Sequence, residues 1–133
     1  GMHYCLNVVA GRDGDPVAVL LRALEPLEGL VPMHANRGPI RGHLDLCRGP
    51  ARLTQALNID RTMDGVDLTA SETLFVERRR RRATDVASIR AGPRVGVAYA
   101  EDWKDKPLRF FFEDNPHVST PRGPSSSHTC KLS

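Results

Sequence analysis

Several side chains in this 133-residue chain have the types and spacing to do chemistry. Arg22 is a lone cation inside the apolar run VAVLLRALEPL (17–27). A buried guanidinium without a counter-charge is very costly, so Arg22 requires a partner, and an ion pair with Glu25 or Asp102 would supply one. Arg48-Gly49-Pro50-Ala51-Arg52 has the form of a phosphate clamp. A helix starting at Pro50 presents unpaired N–H groups to an anion, with an arginine on either side. The same residues equally make an ordinary capped surface helix. Arg78–Arg82 is a run of consecutive arginines. Next to a polyanion it adds salt-dependent, sequence-blind affinity; otherwise it is a solvated loop that its own charge keeps unfolded. Asn7 lies in the apolar opening GMHYCLNVV, where its amide can cap a neighbouring backbone group. Glu25 and Glu28 are suited to pairing with arginine or to capping.

Other chemistries find no support. The histidines are scattered, with no H-x-x-x-H or E-x-x-H set, so no catalytic histidine is assigned. Cys5, Cys47 and Cys130 are far apart and odd in number, which suits reduced thiols in a cytosolic protein rather than a disulfide framework or a zinc site. Neither a Ser/His/Asp order nor a phosphate-binding glycine loop stands out. No metal and no cofactor is expected.

Length and composition fit one folded domain, and no apolar run approaches a membrane span. The opening is apolar but lacks the basic region and cleavage site of a signal peptide. Net charge is +3, with four Arg against five acids in residues 1–47 and fifteen Lys and Arg against eleven acids in residues 48–133. The positive excess therefore sits in the second part, as suits a polyanion such as nucleic acid.

These side chains need elements to position them. HYCLNVVA reads as a strand, GRDGDP (11–16) as a turn and VAVLLRALEPL as a second strand. Both runs are apolar at nearly every position, which predicts a central hairpin covered on both faces. Residues 28–46 read as a loop, or a short helix flanked by loops. Residues 48–59 predict a helix, with Leu53, Ala56 and Leu57 at helical spacing. Residues 67–77 could form a short helix or a strand, with Thr69 or Ser71 as a cap. Residues 86–99 predict a strand broken at Ala91-Gly92-Pro93 and resumed at Arg94. Trp103 and PLRFFF (107–112) are expected to supply most of the aromatic core. The tail from Thr120 has little to bury and is expected to be disordered.

Five stretches, in order, carry a family likeness: GMHYCLNVV, AVLLRALEPLEG, LCRGPARLTQAL, AGPRVGVAYAEDW, and PLRFFF with NPHVS. Together they resemble the alkyladenine (3-methyladenine) DNA glycosylases of the methylpurine-DNA glycosylase type, over about residues 1–119. The resemblance implies an α+β fold: a mixed single domain around a curved antiparallel β-sheet with a few short helices. It also implies an activity. Family members flip alkylated or deaminated purines out of duplex DNA and hydrolyse the N-glycosidic bond with an activated water, without a metal.

The likeness carries over residue by residue. Asn7 matches the pocket asparagine that crowds the 2-amino group of guanine. Arg22 matches the arginine that helps hold the attacking water, and Val95 matches the position whose main-chain carbonyl also holds it. Arg48, Gly49 and Arg52 remain the candidates for the DNA backbone. In the family, the carboxylate that activates the water, the aromatic residues that sandwich the base and an aromatic wedge all come before the Gly1 position. Nothing acidic occurs in this chain before Asp13. The chain is therefore expected to be the C-terminal part of a glycosylase domain, a partial domain without its general base and inactive alone. Glu25 and Glu28 fall in a family stretch whose acids are not catalytic. The expected partner is double-stranded DNA with damaged purines, bound by a monomer in the cytoplasm at the nucleoid, or in the nucleus. The alternative is a non-catalytic DNA-binding module.

Overall fold

In the computed structural model, which describes residues 3–77 and 89–119, the turn chemistry of GRDGDP reverses the chain. Gly14 takes a left-handed conformation (φ +86°), and the Asp15 N–H donates to the Arg12 carbonyl at 2.9 Å. On either side lie β1 (Asn7–Val9) and β2 (Ala18–Leu20), paired antiparallel with Asn7 opposite Leu20 and Val9 opposite Ala18. Single bonds extend the ladder at both ends, Ala10 N–H to the Val17 carbonyl and Leu21 N–H to the Leu6 carbonyl.

Two short helices follow. α1 (Leu30–Arg37) carries Pro32 in its first turn, where the missing N–H costs nothing. It ends at Gly38, whose N–H donates to the His34 carbonyl at 3.0 Å. α2 (Pro50–Ala56) starts at the expected Gly49-Pro50 but stops before residue 59. Asn58 is the cause: it turns left-handed (φ +53°) after the last helical turn. The Ile59 N–H then donates to the Thr54 carbonyl at 2.8 Å and the Asn58 N–H to Gln55 at 3.2 Å. This pair of bonds is the Schellman closure, with Asn in the place glycine usually holds and buried Ile59 as its apolar contact. A 3-10 turn (His43–Asp45) lies between the helices and another (Arg61–Met63) follows them. Asp60 caps the second: Thr62 donates its N–H and its hydroxyl, which holds the Asp60 carboxyl below its usual range.

The chain divides into two compact units, Gly1–Arg78 and Arg79–Ser133. The core of the first is Leu46, Cys47, Leu53 and Ala56, with Leu6, Leu21, Leu24, Leu30, Met33, Ile40 and Leu57 packed against it. α1 is stitched to α2 by Asn36 Nδ2 donating to the Ala56 carbonyl at 2.9 Å and Arg37 Nη1 to Gln55 Oε1 at 2.6 Å. The second unit contains β3 (Ile89–Gly92) and β4 (Arg109–Phe112), antiparallel, with Ile89 opposite Phe112 and Gly92 opposite Arg109. Arg90 and Glu113 close one end of this ribbon with an ion pair at 2.6 Å. The fold is thus mixed α+β, as expected, and among the described residues its antiparallel strands form two two-stranded sheets.

Several expectations differ from what forms. The first hairpin is not covered on both faces by the described residues: β2 is exposed throughout, and Val9 and Val19 face solvent. Apolar composition marks a strand that favours burial but does not supply the layer that buries it. The aromatic residues do not make a core in the described part of the second unit: Trp103 is 55% exposed and Phe110 62%. After Pro93 the chain does not resume a strand but turns, with Gly96 left-handed (φ +78°), into a 3-10 turn at Glu101–Trp103. Residues 67–77 form turns, because Asp67 and Ser71 bond nearby backbone N–H groups and compete with any helix. The arginine run 78–82 and the segment from Thr120 lie outside the described residues.

Burial ranks the two halves of the first unit by cost. Leu53→Ala, at a fully buried position, is expected to destabilise the protein by about 2–5 kcal/mol. Val9→Thr on the exposed hairpin should change stability by less than ~0.5 kcal/mol. Urea unfolding of the two variants checks this, and equal effects would contradict the placement of the core.

Candidate functional site

The hairpin sorts its side chains by the two-residue period of extended chain. Leu6 and Leu21 pack on the core of the first unit, and Val8 is half-buried. Asn7 falls on the alternate positions and is exposed, directly opposite Leu20. Arg22 lies two residues beyond Leu20, the same-face step while the chain stays extended, and is half-buried and engaged with other groups. The structure therefore brings Asn7 and Arg22 to one end of one hairpin. That end is tied to the helical part twice. Tyr4 offers its carbonyl to the Thr54 hydroxyl at 3.1 Å, and the Leu24 N–H donates to the Cys47 carbonyl at 3.2 Å.

Arg48, Gly49 and Arg52 come together at the start of α2. Gly49 has φ +153°, a backbone that a side chain would strain, and Arg52 Cδ would lie 3.6 Å from a Cβ added there. Arg52 Nη1 sits 2.8 Å from Asp45 Oδ1, so one of the two flanking arginines already holds an anion of the chain itself. Arg48 is half-buried and engaged. The pair Arg52–Asp45 is substantially exposed, and such pairs contribute little to stability, so a phosphate can compete for the guanidinium.

Val95 belongs to the second unit, half-buried in the turn Pro93–Gly96 that follows β3. Next to it, Arg94 Nη2 donates to the Trp103 carbonyl at 3.2 Å. Lys106 Nζ stands 3.4 Å from the centre of the Trp103 ring. Arg109 is nearly buried beside the Phe111 ring and donates to the Ser119 carbonyl at 2.7 Å.

Sequence reasoning missed three features. Arg37 bonds Gln55 and reaches toward the Asp45 carbonyl, which places a further cation beside the Arg52–Asp45 pair. His34 Nε2 and His43 Nδ1 share a hydrogen bond at 2.8 Å between α1 and the following 3-10 turn. Thr54 is a buried hydroxyl on the apolar face of α2. A threonine at a helix's core-facing position was the available signal for Thr54, whereas the other two depend on tertiary contacts. A cleft of about 310 Å³ beside α2 is lined by His3, Tyr4, Asn36, Gln55, Asn58 and Asp60 among others. Cys47 lies in the core, where burial pushes its thiol pKa up and the Arg37 charge offsets this in part, so it stays protonated and unreactive. Among the described residues, no helix is long and apolar enough to cross a membrane, and no group of three or more His, Cys, Asp or Glu is arranged to hold a metal.

A mixed α+β chain with a polar hairpin end and arginines at a helix start has close relatives among DNA-repair enzymes. The family model for methylpurine-DNA glycosylase (MPG) matches residues 1–116, and the chain belongs to this family. It is 43% identical over 126 residues to a Desulfitobacterium hafniense protein assigned as a 3-methyladenine DNA glycosylase, covering 90% of this chain and 60% of that one. It is 41% identical to the human DNA-3-methyladenine glycosylase, covering 90% of this chain and 42% of the human protein. A Burkholderia lata relative with the same assignment as the Desulfitobacterium protein is 46% identical, at 91% and 56% coverage. The chain thus spans about 60% of the bacterial relatives and less of the mammalian one, corresponding to their C-terminal part.

Proposed function

We propose that this chain supplies the lesion-reading and water-holding part of a purine DNA glycosylase. In this reading it acts in base-excision repair on alkylated or deaminated purines in duplex DNA. The observation that carries the proposal is the family match across residues 1–116, which takes in Asn7, Arg22 and Val95 together. The target base is turned out of the helix, because its glycosidic bond is out of reach within the stack. Asn7 then stands against the purine edge and crowds a 2-amino group, which guanine has and adenine-derived or hypoxanthine lesions lack. Water attacks the sugar C1′ and the purine leaves. The Arg22 guanidinium donates to the water oxygen, and the Val95 carbonyl accepts one of its protons, so that a lone pair is turned to C1′.

The carboxylate that takes the water's proton is assigned to the part of the family domain that this chain does not span. Glu25 and Glu28 remain structural, as does the exposed ion pair of Asp45. Arg48, Gly49 and Arg52 contact the DNA backbone, with a phosphate displacing Asp45 from Arg52. The protein acts as a monomer where duplex DNA is found, at a bacterial nucleoid or in a nucleus, and uses no metal or cofactor.

The pocket assignment is tested in a chimera that places this chain behind the N-terminal part of the Desulfitobacterium relative. Asn7→Ser is expected to raise excision of undamaged guanine relative to hypoxanthine by about tenfold, ~1.4 kcal/mol of lost discrimination. Single-turnover base release measures it, and an unchanged ratio would remove Asn7 from the pocket. A chimera that binds lesion DNA yet releases no base would favour a binding module instead.

The backbone assignment has its own test. Arg52→Ala is expected to weaken binding to all duplexes alike and to lower the slope of log affinity against log salt by about 0.9. Asp45→Asn, which releases the same guanidinium, should strengthen binding. Fluorescence anisotropy across a salt series reads both, and an unaltered slope in Arg52→Ala would place the phosphate contact elsewhere.

A further inference from the structure

The hairpin that bears Asn7 has little to hold it in place. Its two strands pair over three residues each, β2 is exposed throughout, and a two-stranded ribbon is marginal alone. What fixes its position is its open end, where Leu6 and Leu21 touch the core and Tyr4 meets α2.

Thr54 is 2% exposed, mid-way along α2. Its hydroxyl oxygen lies 3.1 Å from the Tyr4 carbonyl, 3.1 Å from the Ala51 carbonyl and 3.3 Å from the Pro50 carbonyl. All three are acceptors, and a hydroxyl has one proton to give. A helical threonine ordinarily returns that proton to the preceding turn. Here an acceptor from fifty residues earlier in the chain lies equally near, three residues before Asn7. The opposite strand carries a backbone bond to the helical part, Leu24 N–H to the Cys47 carbonyl, and beside the apolar packing of Leu6 the Thr54 hydroxyl gives α2 a polar hold on the Asn7 strand.

We infer that Thr54 is a positioning residue for Asn7: its hydroxyl holds the entry to β1 against α2 and so sets where the Asn7 amide stands when a purine is read. The inference rests on the glycosylase reading of Asn7. It adds that discrimination between purines depends on a hydroxyl that touches neither base nor sugar. A shift of the strand along its partner would carry the amide off its face, since a one-residue slip inverts every side chain.

The test uses the whole chain with Thr54→Val, which keeps the shape and removes the hydroxyl, and Thr54→Ser, which keeps the hydroxyl. Thr54→Ala removes the same hydroxyl without a second methyl and covers a failure of the valine variant to fold. Two readouts are taken. One is the order of the strand, from hydrogen exchange over residues 6–9 and the alkylation rate of exposed Cys5. The other, taken in the chimera with the Desulfitobacterium N-terminal part, is the ratio of affinities for a hypoxanthine duplex and the same duplex with guanine in that place. Thr54→Val and Thr54→Ala are expected to raise strand exchange about fivefold, the scale of one net hydrogen bond, and to narrow the affinity ratio. Thr54→Ser should restore both. Unchanged exchange in the two hydroxyl-free variants overturns the inference. Faster exchange with an intact ratio also overturns it, since Thr54 would then be structural only. An unsubstituted protein that does not distinguish the two duplexes, while its strand exchange still responds to Thr54→Val, overturns the glycosylase reading of Asn7 and the positioning role with it.

Discussion

The first unit is organised by the burial of one face of α2. Leu53 and Ala56 on that face close against Leu46 and Cys47, and α1 and the hairpin attach to this cluster. α1 leans on it through Leu30 and Met33 and is stitched to it by Asn36 and Arg37. The hairpin attaches through Leu6, Leu21 and the two hydrogen bonds at its open end. Even the stop signal of α2 serves the same end, because its Schellman closure turns Ile59 back into the core. A helix of seven residues is too short to be stable by propensity, so its packing has to hold it.

Polar groups around this cluster are committed to one another in ways that suit exchange with an outside anion. Arg52 holds Asp45, and Arg37 holds Gln55. The Arg52–Asp45 pair is exposed, and water and salt weaken it to the point where little is lost when a stronger acceptor arrives. A phosphate is such an acceptor, because its oxygens match the donor fork of a guanidinium. The proposed backbone role of Arg52 and its internal pairing are thus compatible: Asp45 holds the guanidinium in place, and in that proposal a phosphate replaces the carboxylate.

Much of this was legible in the sequence, and for physical reasons. Gly-Asp-Pro composition between two apolar runs announces a hairpin because those residues favour the turn conformations, and the hairpin forms. Gly49-Pro50 announces a helix start because proline needs no N–H partner there. The end of that helix was not legible at residue 56, since left-handed asparagine is a choice of context as much as of type. The exposure of β2, Phe110 and Trp103 was not legible either. A side chain's own apolarity says that burial is favourable, and the covering surface is supplied by other parts of a structure. Asn7 and Arg22 could be singled out by family likeness, and their common hairpin end follows from the pairing of Asn7 with Leu20. Thr54 showed in the sequence only as a threonine on the core-facing side of a helix, and its link to the Asn7 strand depends on a carbonyl fifty residues away.

The most direct measurement is a nuclear magnetic resonance titration of the chimera with the Desulfitobacterium N-terminal part, using two short duplexes, one with hypoxanthine and one with guanine at the same position. The signals followed are the side-chain N–H groups of Asn7, Arg22, Arg48 and Arg52. If the hairpin end reads purines while the α2 start holds phosphate, both duplexes shift Arg48 and Arg52, and the hypoxanthine duplex alone shifts Asn7 and Arg22. Identical responses to the two duplexes, with Asn7 unmoved in both, would contradict the account.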